Sequence, residues 1–196
     1  MSEIVIIDYG AGNIESVKFA LNRLGVDPIL TADKDRIKAA GKVIFPGVGE
    51  AKSAMNELKQ KGLDEVIPKL TQPVLGICLG MQLMCRYSEE GNAKGLNIFP
   101  LDIKRFNGGS TRKIHMGWNT IRALKGPLFE ELNRTDYMYF VHGFYAENSD
   151  YASAISTYQQ PFSAALQKDN FYAVQFHPEK SGNAGAQLLR SFIQLN

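Results

Sequence analysis

The chain has 196 residues, 44% hydrophobic and 21% charged, with 22 Lys and Arg against 20 Asp and Glu for a formal net charge of +2. That length predicts one domain over residues 1–196, large enough to bury its core without metal or disulfide. The balanced charge argues against a generic nucleic-acid binder, two cysteines cannot build a disulfide framework, and no apolar run reaches the roughly 18 residues of a membrane span. The opening Met-Ser-Glu-Ile-Val-Ile-Ile-Asp has no basic n-region, so a cytoplasmic, reducing setting is expected.

Ile4 to Ile7 reads as a buried strand ending at Asp8 and the turn Tyr9-Gly10-Ala11-Gly12-Asn13. Ile14, Val17, Leu21 and Leu24 then recur at helical steps, stopped by Gly25. Strands are predicted over Val26 to Leu30, Val43 to Phe45 and Val74 to Ile77, with helices over Asp33 to Ala40, Glu50 to Lys61 and Leu79 to Tyr87. Short apolar strands alternating with helices predict an α/β fold, a mostly parallel sheet flanked by helices on both faces. Right-handed crossovers put the strand C-termini on one rim, where ligands bind. Asp8, the segment Pro46 to Gly49 and the residues after Ile77 should share it.

The second half reads differently. Extended segments are predicted over Asn97 to Phe106, Ile114 to Arg122, Tyr137 to Ala146, Ala152 to Tyr158, Phe162 to Gln167 and Tyr172 to Phe176, with Asn107-Gly108-Gly109 and Asp169-Asn170 as turns. Only Pro127 to Asn133 and Ala184 to Leu195 read as helical. These are added strands, some antiparallel, on the sheet of the first half.

The strongest local signal is Gly76-Ile77-Cys78-Leu79-Gly80, a strand running through Gly-x-Cys-x-Gly into a helix. This is a nucleophile elbow with Cys in place of Ser. The tight turn lifts the side chain to the sheet rim and sets it at a helix N-terminus, a setting that favours a reactive thiolate. The amide of Leu79 is then placed to help form an oxyanion hole. A free cysteine is most often a core residue; Cys85 fits that description, two helical turns beyond Cys78, whereas the elbow favours a nucleophile at Cys78.

A thiol nucleophile needs a base and an orienter. His177-Pro178-Glu179 follows a predicted strand, and residues i and i+2 of extended chain point the same way. Glu179 can therefore hold one nitrogen of His177 and leave the other for Cys78, a variant of triad logic. His142 and His115 have no acidic residue two positions away; packing or pocket shape is expected of His142. No Cys or His pair has metal-ligand spacing, so no metal is expected. Phe45-Pro46-Gly47-Val48-Gly49 could be an ordinary βα turn or, through its amides, the second half of the oxyanion hole. Gly10-Ala11-Gly12 lacks the third glycine of a dinucleotide fingerprint, with Glu15 in its place. Lys104, Arg105, Arg112 and Lys113 read as solvated strand faces rather than a phosphate patch.

Taken together, Pro46-Gly47-Val48-Gly49, Gly76-Ile77-Cys78-Leu79-Gly80-Met81-Gln82 and Phe176-His177-Pro178-Glu179 resemble the class I glutamine amidotransferases, the Cys-His-Glu family, over nearly the whole chain. Tyr9-Gly10-Ala11-Gly12-Asn13, His115-Met116-Gly117-Trp118-Asn119, Tyr139-Phe140-Val141-His142 and Lys180-Ser181 look most like its histidine-pathway glutaminase subunits. Ile114 stands where those have proline, and Gly143 where they have serine. The resemblance implies a flavodoxin-like fold and glutamine hydrolysis without a cofactor. It implies Cys78 as nucleophile, His177 moving protons and Glu179 orienting it. Gly47, Val48, Gly49 and Leu79 would form the oxyanion hole, and Gln82, Glu90 and Gly143 the glutamine pocket. It further implies a heterodimer with a (β/α)8-barrel cyclase, contacted through Asn13, Tyr139 and Lys180, and no nucleic acid or membrane partner. The alternatives are a glutaminase of the pyridoxal phosphate or chorismate pathway and a non-catalytic α/β binding module.

Overall fold

The computed structural model describes residues 3–10, 14–107, 114–133 and 136–195. The chain runs β1 (Ile4–Ile7), α1 (Ile14–Arg23), β2 (Ile29–Thr31), α2 (Lys34–Ala39), β3 (Lys42–Phe45), α3 (Ala51–Lys61), β4 (Val74–Ile77) and α4 (Leu79–Met84). There follow β5 (Cys85–Ser88), β6 (Ala93–Lys94), β7 (Phe99–Arg105), β8 (His115–Thr120), β9 (Tyr137–His142), β10 (Phe144–Glu147), β11 (Ala152–Tyr158), β12 (Gln160–Lys168), β13 (Phe171–Val174) and α5 (Gly182–Gln194).

Eleven strands form one sheet in the order β2-β1-β3-β4-β13-β12-β10-β7-β5-β6, with β11 paired to β12. The pairs β1–β2, β1–β3, β3–β4 and β4–β13 are parallel; β12 pairs antiparallel with β13, β10 and β11. The expected mostly parallel sheet with antiparallel additions is therefore present. Its first strands are largely apolar, with Lys42 and Thr31 at strand ends, because both faces are covered. Val5, Ile7, Val43 and Phe45 face one core with Ile37 of α2 and Met55 and Leu58 of α3. Ile4, Ile6, Ile44, Leu75 and Ile77 face the other with Val17 and Leu21 of α1 and Leu188, Leu189 and Phe192 of α5. Each such fully buried aliphatic side chain contributes about 1.5–3 kcal/mol.

Three expectations are corrected. The helix predicted to reach Tyr87 stops at Met84, and Cys85 begins a strand. Amides of Leu96, Asn97 and Ile98 donate to the carbonyls of Leu83, Cys85 and Met84, so tertiary pairing wins over local periodicity. Cys85 is thus not two helical turns from Cys78; it is buried in a strand, its thiol against the Met81 carbonyl at 3.6 Å. Next, β8 and β9 do not join the main sheet but form a separate two-stranded ribbon. Finally, helix in Pro127 to Asn133 shrinks to a single 3-10 turn over Pro127–Phe129. The turn Asn107-Gly108-Gly109 falls mostly outside the described residues.

The strand C-termini Ile7, Phe45, Ile77 and Val174 lie along one rim, since their four strands run parallel. The register between β4 and β13 pairs Gly76 with Ala173 and Ile77 with Val174. Cys78 and Gln175, the next residues, therefore leave the sheet side by side.

Candidate active site

Cys78 sits between β4 and α4 with φ 53° and ψ −107°, a conformation costly for a residue with a Cβ. Neighbouring contacts hold it there. Its amide donates to the Val174 carbonyl at 2.8 Å. On the other side α4 presses so close to β3 that a Cβ on Gly80 would collide with the Phe45 carbonyl. The spacing Gly-x-Cys-x-Gly thus reflects a helix start wedged against the next strand. The Cys78 side chain is buried to within 7% and lines a cavity of about 230 Å³ with Leu79, Gln82, His177 and Gly143. Val48, Gly49, Glu90, Val141, His142 and Phe144 complete the wall. The thiol lies 4.0 Å from the Val141 carbonyl.

His177 shares that cavity. Its Nδ1 is 2.7 Å from Glu179 Oε1, and the two side chains are 2% and 0% exposed. Nε2 is buried without a hydrogen-bond partner. Burial works against a charged ring, but the Cys78 sulfur and the Glu179 carboxylate together outweigh it and raise the His177 pKa to about 10. Both neighbours thus favour the imidazolium, the carboxylate through a direct hydrogen bond. Glu179 is hydrogen-bonded to His177 and Cys78 lines the same cavity as that histidine, but Pro178–Lys180 forms a 3-10 turn rather than the extended chain the i, i+2 reading assumed.

The loop after β3 lies beside them. Tyr9 donates its hydroxyl to the Pro46 carbonyl at 3.1 Å, and its pKa is pushed up by burial and then by Cys78. Gly47 is buried against that hydroxyl, where an added Cβ would lie 2.5 Å from the oxygen. Val48 and Gly49 face the cavity, Gly49 with φ +103°. The Leu79 amide is not open to the cavity: it donates to the Gly47 carbonyl at 3.3 Å.

Of the residues assigned to a glutamine pocket, all three line the cavity. Gln82 is buried, its amide nitrogen donating to Gln175 Oε1 at 2.9 Å and to the Phe144 carbonyl at 3.1 Å. Glu90 is half-buried, and one of its oxygens accepts the Ala51 amide at 2.9 Å at the start of α3. Burial raises its pKa and the Ala51 bond partly offsets this. Gly143 separates β9 from β10, its carbonyl accepting the Phe106 amide at 3.1 Å.

Of the residues assigned to a partner surface, Asn13 lies outside the described residues. Tyr139 and Lys180 lie next to the site: the Tyr139 carbonyl accepts the His177 amide at 2.9 Å, and Lys180 is exposed in the turn after His177. Beside them β8 and β9 present Met116, Trp118 and Tyr137 at 69%, 55% and 55% exposure. The sequence reading passed over this apolar patch. Its signal is the alternation in His115-Met116-Gly117-Trp118, which buries His115 and turns Met116 and Trp118 outward.

The sequence reading also missed two polar features. Gln175, fully buried, donates from Nε2 to Cys78 Sγ at 3.7 Å. His142 and His115 form a relay whose tautomers follow from its end. The Phe144 carbonyl can only accept, so His142 Nδ1 carries hydrogen over that 2.7 Å contact and its Nε2 accepts from His115 Nδ1 at 3.0 Å. His115 Nε2 accepts in turn from Asn119 at 3.2 Å. Burial lowers the two pKa values, to about 4 for His115 and about 3 for His142, where the Phe144 bond opposes and the other histidines add.

Comparison with known proteins agrees with this geometry. The class I glutamine amidotransferase family matches residues 5–195. The imidazole glycerol phosphate synthase subunit HisH of Bacteroides fragilis is 55% identical over 98% of this chain and 100% of its own length. That of Haemophilus influenzae is 48% identical over 99% and 98%. A glutamine amidotransferase crystal structure superposes with a TM-score of 0.75 at 17% identity, covering 97% of each chain. One from Thermotoga maritima superposes at 0.68 and 16%, covering 98% and 96%, and these two likenesses speak to fold. With a family match across the sheet, the elbow and the His-Pro-Glu turn, and full-length relatives at about half identity, the chain belongs to the class I glutamine amidotransferases and, within them, to the HisH subunits of imidazole glycerol phosphate synthase.

Proposed function

We propose that this chain is the glutaminase subunit of an imidazole glycerol phosphate synthase, a single catalytic domain that hydrolyses L-glutamine to glutamate and ammonia for histidine biosynthesis in the cytoplasm. The observation that carries the chemistry is the buried line Cys78–His177–Glu179 opening on a cavity sized for a small amino acid. The Cys78 thiolate attacks the side-chain carbonyl of glutamine, and the carbonyl electrons move to oxygen. His177 gives its Nε2 proton to the departing nitrogen, ammonia leaves, and a γ-glutamyl thioester remains. His177 then takes a proton from water, hydroxide attacks the thioester, and glutamate is released with the thiol restored. Glu179 keeps the ring oriented and its charged form stabilised. None of these steps calls on a cofactor.

Glu90 suits the substrate ammonium as a half-buried carboxylate on the wall. Gln82, whose nitrogen is fixed by two acceptors, has its oxygen left to offer. The amides of Leu79 and of the Gly47, Val48 and Gly49 loop would stabilise the oxyanion once the Leu79–Gly47 bond opens. Ammonia in water is mostly ammonium, which is not a nucleophile, so the product is useful only when handed over directly. The exposed Met116, Trp118 and Tyr137 beside Tyr139 and Lys180 suit a docking face for a (β/α)8-barrel cyclase. That cyclase would use the ammonia to form imidazole glycerol phosphate and AICAR from PRFAR.

The test is a thiol-reactive glutamine analogue together with the barrel partner. Labelling at Cys78, protection by glutamine and stimulation of glutamate release by the partner's nucleotide substrate are expected. No labelling at Cys78 with partner present overturns the reading.

A further inference from the structure

The Phe144 carbonyl fixes more than the histidine relay. A carbonyl can only accept, so the group Gln82 turns toward it at 3.1 Å is the amide NH2. The same nitrogen lies 2.9 Å from the side chain of Gln175, which must present its oxygen there. With its oxygen taken, Gln175 presents its own NH2 to Cys78 Sγ, at 3.7 Å. Each amide orientation follows from the one before, and the last member points at the sulfur. The backbone supports the same placement. Gln175 follows Val174, paired with Ile77, so it exits the sheet level with Cys78, and Phe176 beyond it turns into the core.

From this geometry we infer that Gln175, locked by Gln82, is a positioning residue that holds the Cys78 sulfur and favours its thiolate. A donor aimed at sulfur interacts more strongly with S⁻ than with SH. Gln82 thereby gains a second role beside the glutamine pocket, as the brace that keeps the Gln175 oxygen turned away from Cys78. The other titratable groups around the sulfur are His177 with Glu179 behind it, Tyr9 from the end of β1, His142 from β9 and Glu90 across the cavity. Gln175 differs from these in carrying no charge at any pH, so its contribution does not titrate. The inference rests on Cys78 being the reactive nucleophile.

The test reads the second-order rate of iodoacetamide alkylation at Cys78, located by mass spectrometry, from pH 6 to 10 in the full chain. Gln175→Met removes the donor at similar volume. Gln175→Glu keeps an acceptor for Gln82 and places a carboxylate against the sulfur. The expected result is a rate at pH 7 lower by about tenfold in Gln175→Met, and lower still in Gln175→Glu, with the high-pH plateau within about twofold of the parent. Profiles that superimpose on the parent, or a loss by one factor at every pH, overturn the role of Gln175 and leave Cys78 as nucleophile. Absence of alkylation at Cys78 in the parent overturns both.

Discussion

Replacing Glu179 by Gln tests the catalytic line with least disturbance, because shape is kept and only the charge is lost. The bond it alters is 2.7 Å long between side chains 2% and 0% exposed, so water does not screen it. A charge-assisted hydrogen bond of this kind is worth about 1.5–3 kcal/mol, which is about 10- to 150-fold in rate. The loss grows where the new amide turns its NH2 toward Nδ1, since the ring proton then moves to Nε2 and the base is gone; in serine-protease triads that tautomer error costs about 10⁴. We expect kcat for glutamine hydrolysis by the complex with its partner subunit to fall between about 10- and 10⁴-fold. KM should stay within about threefold, because Glu179 does not line the cavity. The pH profile gives a second readout. The parent His177 has its pKa raised to about 10, so the imidazolium is held below that pH and lost as pH rises through it. Without the carboxylate that alkaline limb moves to lower pH. A kcat within twofold of the parent, with the limb unmoved in a protein of unchanged Tm, refutes the reasoning.

Other outcomes follow from the same coordinates. His115 and His142 have folded pKa values of about 4 and 3, below the usual 6.5, so the native state binds fewer protons than the unfolded chain between those values. Stability is then full above about pH 6.5 and declines as pH falls toward 4, by about 1.4 kcal/mol per unit for each ring; histidine NMR resonances titrating near pH 6.5 would contradict this. Gly80→Ala drives a Cβ into the Phe45 carbonyl and should lower the unfolding free energy by more than about 2 kcal/mol in urea titrations; an unchanged midpoint removes the wedge as the reason for glycine. Trp118→Ala, at a site 55% exposed, should change stability by no more than about 0.5 kcal/mol yet weaken binding of the partner subunit at least tenfold in calorimetry. Unaltered affinity moves the docking face elsewhere.

Much of this was legible in the residues. Ile4–Ile7, Val74–Ile77 and the helix ending at Gly62 stand where apolar runs and stop signals put them, because both sheet faces are covered and the pattern is undiluted. Cys78 and the His177–Glu179 pair were readable because each is set by local sequence, an elbow between glycines and a two-residue spacing that a 3-10 turn, rather than extended chain, closes into a hydrogen bond. What local pattern could not reveal was pairing at a distance. The helical periodicity past Met84 gave way to the amides of Leu96, Asn97 and Ile98, and no feature within 79–87 announces them. Gln175 follows a plain strand sequence, and its place beside Cys78 depends on β13 inserting between β12, its neighbour in the chain, and the distant β4.

The oxyanion donors illustrate the remaining gap most directly. An elbow motif specifies where the Leu79 amide is, but not whom it serves, since a peptide plane can turn without moving a side chain. Here the amide reaches the Gly47 carbonyl, in a loop whose preceding carbonyl is tied to Tyr9 and whose Gly49 occupies a left-handed conformation. If Leu79 is to serve an oxyanion as proposed, the Gly47 carbonyl has to release its amide, and the Gly47–Val48 peptide carries that carbonyl. Tyr9 holds the carbonyl at the loop's root, and Val48, 36% exposed, faces the cavity. Uncoupled glutamine hydrolysis would waste ammonia to water, so a Leu79 amide already bonded to Gly47 is consistent with the proposed role of ammonia donor.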